Sequence, residues 1–127
     1  MDIETIREFC LSLPHVAEDI QWGNDLLFRV GSKIFACVNL EPAPQPRLSF
    51  KCTPEEFAEL TEQDGIIPAP YVARYHWVAL ERFDALPWVE TKRLIRKSYD
   101  LVFEKLPKKV KLQLDKKQKK LSPDDAG

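Results

Sequence analysis

Histidine, glycine and cysteine are scarce in this chain, and each shortage excludes a class of chemistry. Two histidines, His15 and His76, are too few for a histidine-based metal centre. Four glycines in 127 residues supply neither a GxGxxG turn nor a Walker loop to cradle phosphate. The three cysteines, Cys10, Cys37 and Cys52, are an odd number without CxxC spacing, so neither a disulfide framework nor a zinc finger is expected. They read as reduced, mostly buried thiols of a cytoplasmic protein. No run approaches the ~18 apolar residues of a membrane span. The polar, acidic start MDIETIREFC lacks the layout of a secretory signal, so no membrane partner is expected. No serine lies in a GxSxG elbow. Cys37 or Cys52 could meet His76 as a thiolate pair, but buried structural cysteines are far commoner. Glu18, Asp19 and Asp25 could hold a cation weakly, although a solvated turn is the plainer reading. No catalytic residue, metal ligand or cofactor is therefore assigned, and no enzyme is expected.

What is present is ordinary globular material. Hydrophobic residues make up 44% and charged residues 31%, enough for one domain with its own core. The net charge of -1 conceals an asymmetry. Residues 1–91 carry 7 Lys and Arg against 15 Asp and Glu, whereas residues 92–120 carry 12 against 3. A basic C-terminal third can be the footprint of nucleic-acid binding, and equally a solvated helix face with a solubilising tail. We expect a single α+β domain over 1–107 and a Lys-rich flexible tail over 108–127 with some helix in it, the protein being a monomer.

Ile3, Ile6, Phe9, Cys10 and Leu13 gather on one helix face, with Asp2 as the cap and Pro14 as the stop. Residues 16–22 read weakly as a strand, followed by a turn at Gly23-Asn24-Asp25. Residues 26–30 and 33–40 are strands, joined at Gly31-Ser32 by what reads as a type II′ turn. Glu41 to Pro46 is a proline-interrupted loop, and residues 47–52 form another strand. Thr53-Pro54-Glu55-Glu56 is a capping box opening a short helix to about Glu62. Residues 63–71 read as a loop with an apolar middle, 72–81 as a strand and about 87–106 as the longest helix. Short hairpins force antiparallel pairing. The expected fold is a two-layer α+β sandwich, with an antiparallel sheet of about five strands and helices on one face.

Strict alternation sends Ile34, Ala36, Val38 and Leu40 to the core, and Lys33, Phe35, Cys37 and Asn39 to the open face. It likewise buries Leu48, Phe50 and Cys52, leaving Arg29, Arg47, Ser49 and Lys51 on the open side. In the segment Arg74-Tyr75-His76-Trp77-Val78 the pattern leaves two choices. Either Arg74, His76 and Val78 face outward, or Tyr75 and Trp77 do. Basic residues beside exposed aromatics would make a stacking and phosphate-contact platform. Ordinary solvated strand residues paired with acids are the plainer alternative.

The segments FCLSLPHVAEDIQWG (9–23), FRVGSKIFA (28–36), LSFKCTPEEF (48–57), PAPYVARYHWVAL (68–80) and LIRKSYDLVFEKLPKK (94–109) together resemble the bacterial MmcQ/YjbR family. The resemblance covers roughly 1–110, in the same order. It implies a fold described as CyaY-like, or similar to type III secretion chaperones. It also implies DNA binding, because two hairpins of the family have been likened to the wings of winged-helix proteins. Carried over, that idea puts Arg29 and Lys33 on one wing, and Arg74 to Trp77 on the family's His-Trp signature. Val78 stands where many relatives carry Asn, which removes any polar role there.

Two functions from different classes follow. One is a DNA-binding accessory protein of low sequence specificity. Its phosphate contacts would come from Arg29, Lys33, Arg47, Lys51 and the lysines Lys108, Lys109 and Lys111, Tyr75 or Trp77 would stack if exposed, and Arg74 and His76 would complete the site. The other is a protein-interaction module, chaperone-like in fold, that takes a partner segment on the open face or on residues 66–71. A continuous basic face would favour DNA, and an apolar or mixed-sign groove would favour protein. An iron-handling role by analogy with CyaY rests on fold alone and lacks an evident acidic ridge.

Overall fold

The computed structural model describes residues 2–21, 24–41 and 46–121, with side chains to 116 in the last helix. Trp22 and Gly23 at the first turn, Pro42–Gln45 of the proline loop and the final residues 122–127 lie outside the described residues. So do the side chains of Lys117, Lys119 and Lys120.

The chain begins with helix α1 (Ile3–Ser12), whose cap is the Asp2 carboxylate accepting from the Thr5 N–H. Strands β1 (Val16–Gln21), β2 (Asp25–Val30), β3 (Lys33–Asn39) and β4 (Leu48–Lys51) follow as an antiparallel meander. Helix α2 (Pro54–Leu60) opens with the expected capping box between Thr53 and Glu56, with Pro54 in its first turn. Strands β5 (Ile66–Pro68) and β6 (Trp77–Leu80) and helices α3 (Trp88–Glu104) and α4 (Lys108–Leu121) complete it. The sheet has six strands in the order β1-β2-β3-β4-β6-β5, every pairing antiparallel. The fold is the expected α+β sandwich, with one more strand than the sequence suggests. That strand is β5, three residues whose proline and short length hide any alternation.

Helices α1 and α3 cover one face of the sheet. Phe28, Val30, Ala36, Val38, Leu48, Phe50, Val78 and Leu80 meet Ile6, Cys10, Leu94 and Ile95 in the core. Arg7 of α1 clamps Glu18 of β1 through two guanidinium nitrogens, the shortest contact being 2.7 Å.

Four expectations are corrected. First, β3 carries a bulge. Phe28 pairs with Ala36 but Arg29 pairs with Ile34, so Phe35 is the extra residue. The slip turns Phe35 inward, fully buried and edge-on to Tyr99 with ring centroids 5.3 Å apart. Ile34 takes its place on the opposite face. Secondly, Gly31 and Ser32 both have positive φ, +56° and +67°, which makes the hairpin turn type I′ rather than II′. A Cβ on Gly31 would lie 2.7 Å from Leu106 Cδ1, so close packing as well as φ selects glycine there.

Thirdly, the strand expected over 72–81 begins only at Trp77. Ala73–Tyr75 form a 3-10 turn, and His76 stands in the left-handed region at φ +64°. Fourthly, the segment after Pro107, expected as a tail with some helix, is helical as far as Leu121 and forms α4, with Val110 and Leu114 packed against the core. Lys108 and Lys109 occupy the first turn of α4, where the helix dipole disfavours cations, so packing rather than charge holds this start.

Candidate functional site

The face away from α1 and α3 is not bare. The segment Ala69–Val72, which links β5 to the 3-10 turn, folds back over the middle of the sheet. Beneath it lies a cavity of about 530 Å³ between this segment and residues of β2, β3, β4 and β6. Its walls are mostly apolar: Leu27, Ile34, Cys37, Ala69, Val72 and Trp77. Tyr71 forms the lip, fully exposed and held at φ +70°, a conformation that costs a non-glycine residue about 1 kcal/mol or more.

The cavity is polar at one end. Asp25 pairs with Asn39 at the far end of β2, and burial together with the neighbouring charge of Glu41 raises its carboxyl above the ordinary range. Cys37 sits between the ends, its thiol pushed up to about 12 by burial and by Asp25.

Against the other end lies a second hollow of about 460 Å³, which shares Ile34 and Trp77 with the first. It is bordered by Lys33, Lys51, Lys105 and Tyr75, with Val102 of α3 and Leu106 just beyond that helix as its floor. Lys51 donates from Nζ to the Tyr75 carbonyl oxygen at 3.1 Å. Burial, then the charge of Lys105, holds its ammonium below the ordinary lysine range.

The residues expected to bind nucleic acid are distributed unevenly. Lys33, Lys51 and Trp77 come together around the second hollow. Arg29 does face the open side, but it is engaged by Asp19 at 3.3 Å and by the Ser32 carbonyl. Arg47 donates to the Glu41 carbonyl and lies 4.7 Å over the Phe83 ring. Arg74 covers the Tyr75 ring at 4.8 Å. His76 does not join the open face. Its imidazole packs edge-on to Phe57 of α2, with centroids 5.7 Å apart. Lys108, Lys109 and Lys111 lie on α4, where Lys111 donates to the Glu104 carbonyl at 3.0 Å. Of the two choices for the 74–78 segment, Trp77 faces outward and Val78 is core. Lys105 was not singled out from sequence. Its position at the end of α3, one residue before the buried Leu106, was the available signal.

The thiolate and cation ideas find different geometry. Cys52 donates from Sγ to the backbone oxygen of His76 at 3.3 Å, not to its ring. Burial pushes the thiols of Cys10 and Cys52 up to about 12, so they stay protonated. Glu18 and Asp19 point to opposite faces of β1, one to Arg7 and the other to Arg29. Among the described residues no three His, Cys, Asp or Glu side chains gather as a metal site, and no helix is long and apolar enough to cross a membrane.

An antiparallel sheet with helices on one face defines a class of small α+β domains, and solved structures share it. A crystal structure of a Deinococcus radiodurans protein with the DUF419 domain superposes with a TM-score of 0.78 at 28% identity, covering 89% of this chain and 87% of its own. A protein from Pseudomonas syringae superposes at 0.65 with 20% identity, over 80% of this chain and 98% of its own, and shows the fold alone. The family model YjbR matches residues 11–101, and the chain belongs to that family. No curated protein matches.

Proposed function

We propose that this protein is a non-catalytic interaction module whose working surface is the open face of the sheet. The observation that carries this reading is the apolar cavity under Ala69–Val72, bounded by Trp77 and Ile34. Sites that bind by burial are concave and mostly apolar, with a few polar groups to set orientation, and this cavity has that make-up. The face is mixed in sign, with Asp19 paired to Arg29, Asp25 lining the first hollow and Lys51 the second, which favours a protein partner over a polyanion. The protonated thiols support a binding role over nucleophilic chemistry.

The test is a pull-down from native lysate, with and without nuclease, using the natural chain and Ile34→Glu. Partners that survive nuclease and are lost with Ile34→Glu support the reading. Capture abolished by nuclease overturns it.

DNA binding is the second reading, favoured by one observation: Lys33, Lys51 and Lys105 converge beside Tyr75 and Trp77. Phosphate contacts with stacking aromatics would give binding of low sequence specificity. Fluorescence anisotropy with a labelled duplex between ~50 and 200 mM salt tests it, each phosphate contact adding roughly -0.9 to the slope of log K against log salt. Lys33→Ala and Lys51→Ala should each flatten that slope by about one unit. Absence of binding at the low-salt end removes this reading.

A further inference from the structure

The two hollows meet along Ile34 and Trp77, and their chemistry is complementary along one line. Strand register gives that line its direction. Asp25 pairs with Asn39 at one end of β2, and Arg29 pairs with Ile34 at the other. At about 3.3 Å per residue the two levels are ~13 Å apart. Leu27 and Cys37 pair between them and make an apolar stretch.

The ends differ in sign. The hollow past Trp77 has three lysines on its border and no carboxylate among the residues that line it. In the ion pairs among the described residues every cation is an arginine, so Lys33, Lys51 and Lys105 are not neutralised by partners. Lys51 gives one N–H to Tyr75 and keeps two for another acceptor. The fold thus gathers uncompensated cations, exposed at Lys33 and Lys105 and half-buried at Lys51, where a bound anion would relieve their mutual repulsion. At the far end Asp25 would repel an anion. The cavity between is apolar and has the size of a small-molecule site, about 300–1,000 Å³.

We propose that the two hollows form one site for a small, free amphipathic anion, its apolar body under Ala69–Val72 beside Trp77 and its phosphate, sulfonate or carboxylate head on Lys33, Lys51 and Lys105. This rests on the reading of the open face as the working surface, and goes beyond the protein partner proposed for it by adding a small-molecule ligand of stated chemistry and direction.

The experiment is calorimetric titration of the full chain with three probes: 1-naphthyl phosphate, 1-naphthol, which lacks the head, and inorganic phosphate, which lacks the body. The phosphate ester should bind at least tenfold tighter than either fragment. The double variant Lys51→Gln, Lys105→Gln should lose that advantage and keep its affinity for 1-naphthol. Cys37→Phe, which fills the cavity, should weaken both naphthyl probes at least tenfold. Trp77→Ala serves as a second cavity variant, each being checked for folding by circular dichroism.

Equal affinity for 1-naphthol and its phosphate overturns the head assignment and leaves the open-face reading standing. Loss in the lysine variant with no effect of either cavity variant reduces the site to a surface anion patch and overturns the proposal. No binding of any probe overturns it too, while the pull-down with Ile34→Glu still decides the wider reading. Displacement of 1-naphthyl phosphate by a duplex oligonucleotide at ~150 mM salt, close to physiological ionic strength, overturns it in favour of the DNA reading.

Discussion

Ser98 Oγ donates to the carbonyl oxygen of Phe35 at 2.6 Å, joining the buried face of α3 to the bulged residue of β3 across 63 positions of sequence. The same hydroxyl accepts from the backbone N–H of Lys51 at 2.9 Å. One fully buried side chain thus serves two backbone groups, one at the bulge and one at the end of β4 beside the basic hollow. A bulge leaves a residue outside the ladder, and its carbonyl must find a partner elsewhere. Ser98→Ala should therefore destabilise the protein by about 1–3 kcal/mol, as expected for leaving buried groups unsatisfied. Urea denaturation measures this, and a change below ~0.5 kcal/mol would show that water replaces the hydroxyl.

Phe35 and Trp77 should respond differently to truncation. Phe35 is fully buried between Phe28 and Tyr99, so Phe35→Ala should cost ~3–5 kcal/mol. Trp77 is half-buried on the open face, so Trp77→Ala should cost roughly 1–2 kcal/mol, less than full aromatic burial would. Denaturation curves of both variants check the order, and a reversal would put Trp77 in the core.

Gly31→Ala combines two penalties. The backbone stands at φ +56°, and the added methyl would meet Leu106 at 2.7 Å. A loss of about 1–3 kcal/mol is expected, from left-handed strain and a tight contact. Thermal unfolding of Gly31→Ala beside Ser32→Gly provides the control. Ser32 is also left-handed, at φ +67°, and glycine there relieves strain, so the two melting shifts should have opposite signs.

The cysteines set an alkaline boundary. Burial raises Cys10, Cys37 and Cys52 to about 12, whereas the unfolded chain releases these protons near ~8.5. Above that point the unfolded state binds fewer protons than the folded one, so stability falls as pH rises. The contribution is complete below ~8.5 and is lost progressively toward 12. Iodoacetamide should label the folded protein very slowly at pH 8 and label all three cysteines in urea. Rapid labelling of Cys37 in the folded state would contradict its protonation.

Removal of residues 108–127 should weaken the fold without abolishing it. Val110 and Leu114 pack against the core, and burying one such side chain is worth ~1.5–3 kcal/mol at full burial. Both are only half-buried, so a loss of about 1–3 kcal/mol is expected. A truncated chain as stable as the full one would show that α4 contributes nothing to packing.

Local chemistry alone determined much of this molecule. The Asp2 cap, the stop at Pro14, the Thr53–Glu56 capping box, the placement of the Gly31-Ser32 hairpin and the apolar stripe of α3 all depend on residues within one or two turns of each other. Such signals are complete in a short window of sequence, and so is the alternation that buries Leu48 and Phe50 while leaving Lys51 outward. The bulge at Phe35 was not legible. An inserted residue changes no composition, and only the pairing of β3 with both neighbours and the Ser98 hydroxyl decides which residue is left out. The short strand β5 and the left-handed His76 likewise depend on their partner β6 and on the fold of the 69–76 segment over the sheet. The site was half visible for the same reason. Sequence leaves open which arginines and lysines stand free and which pair with acids, because ion pairing depends on distance in space. Tertiary structure spent Arg29 on Asp19 and Arg47 on Phe83, and brought Lys105, from the far end of α3, beside Lys33 and Lys51.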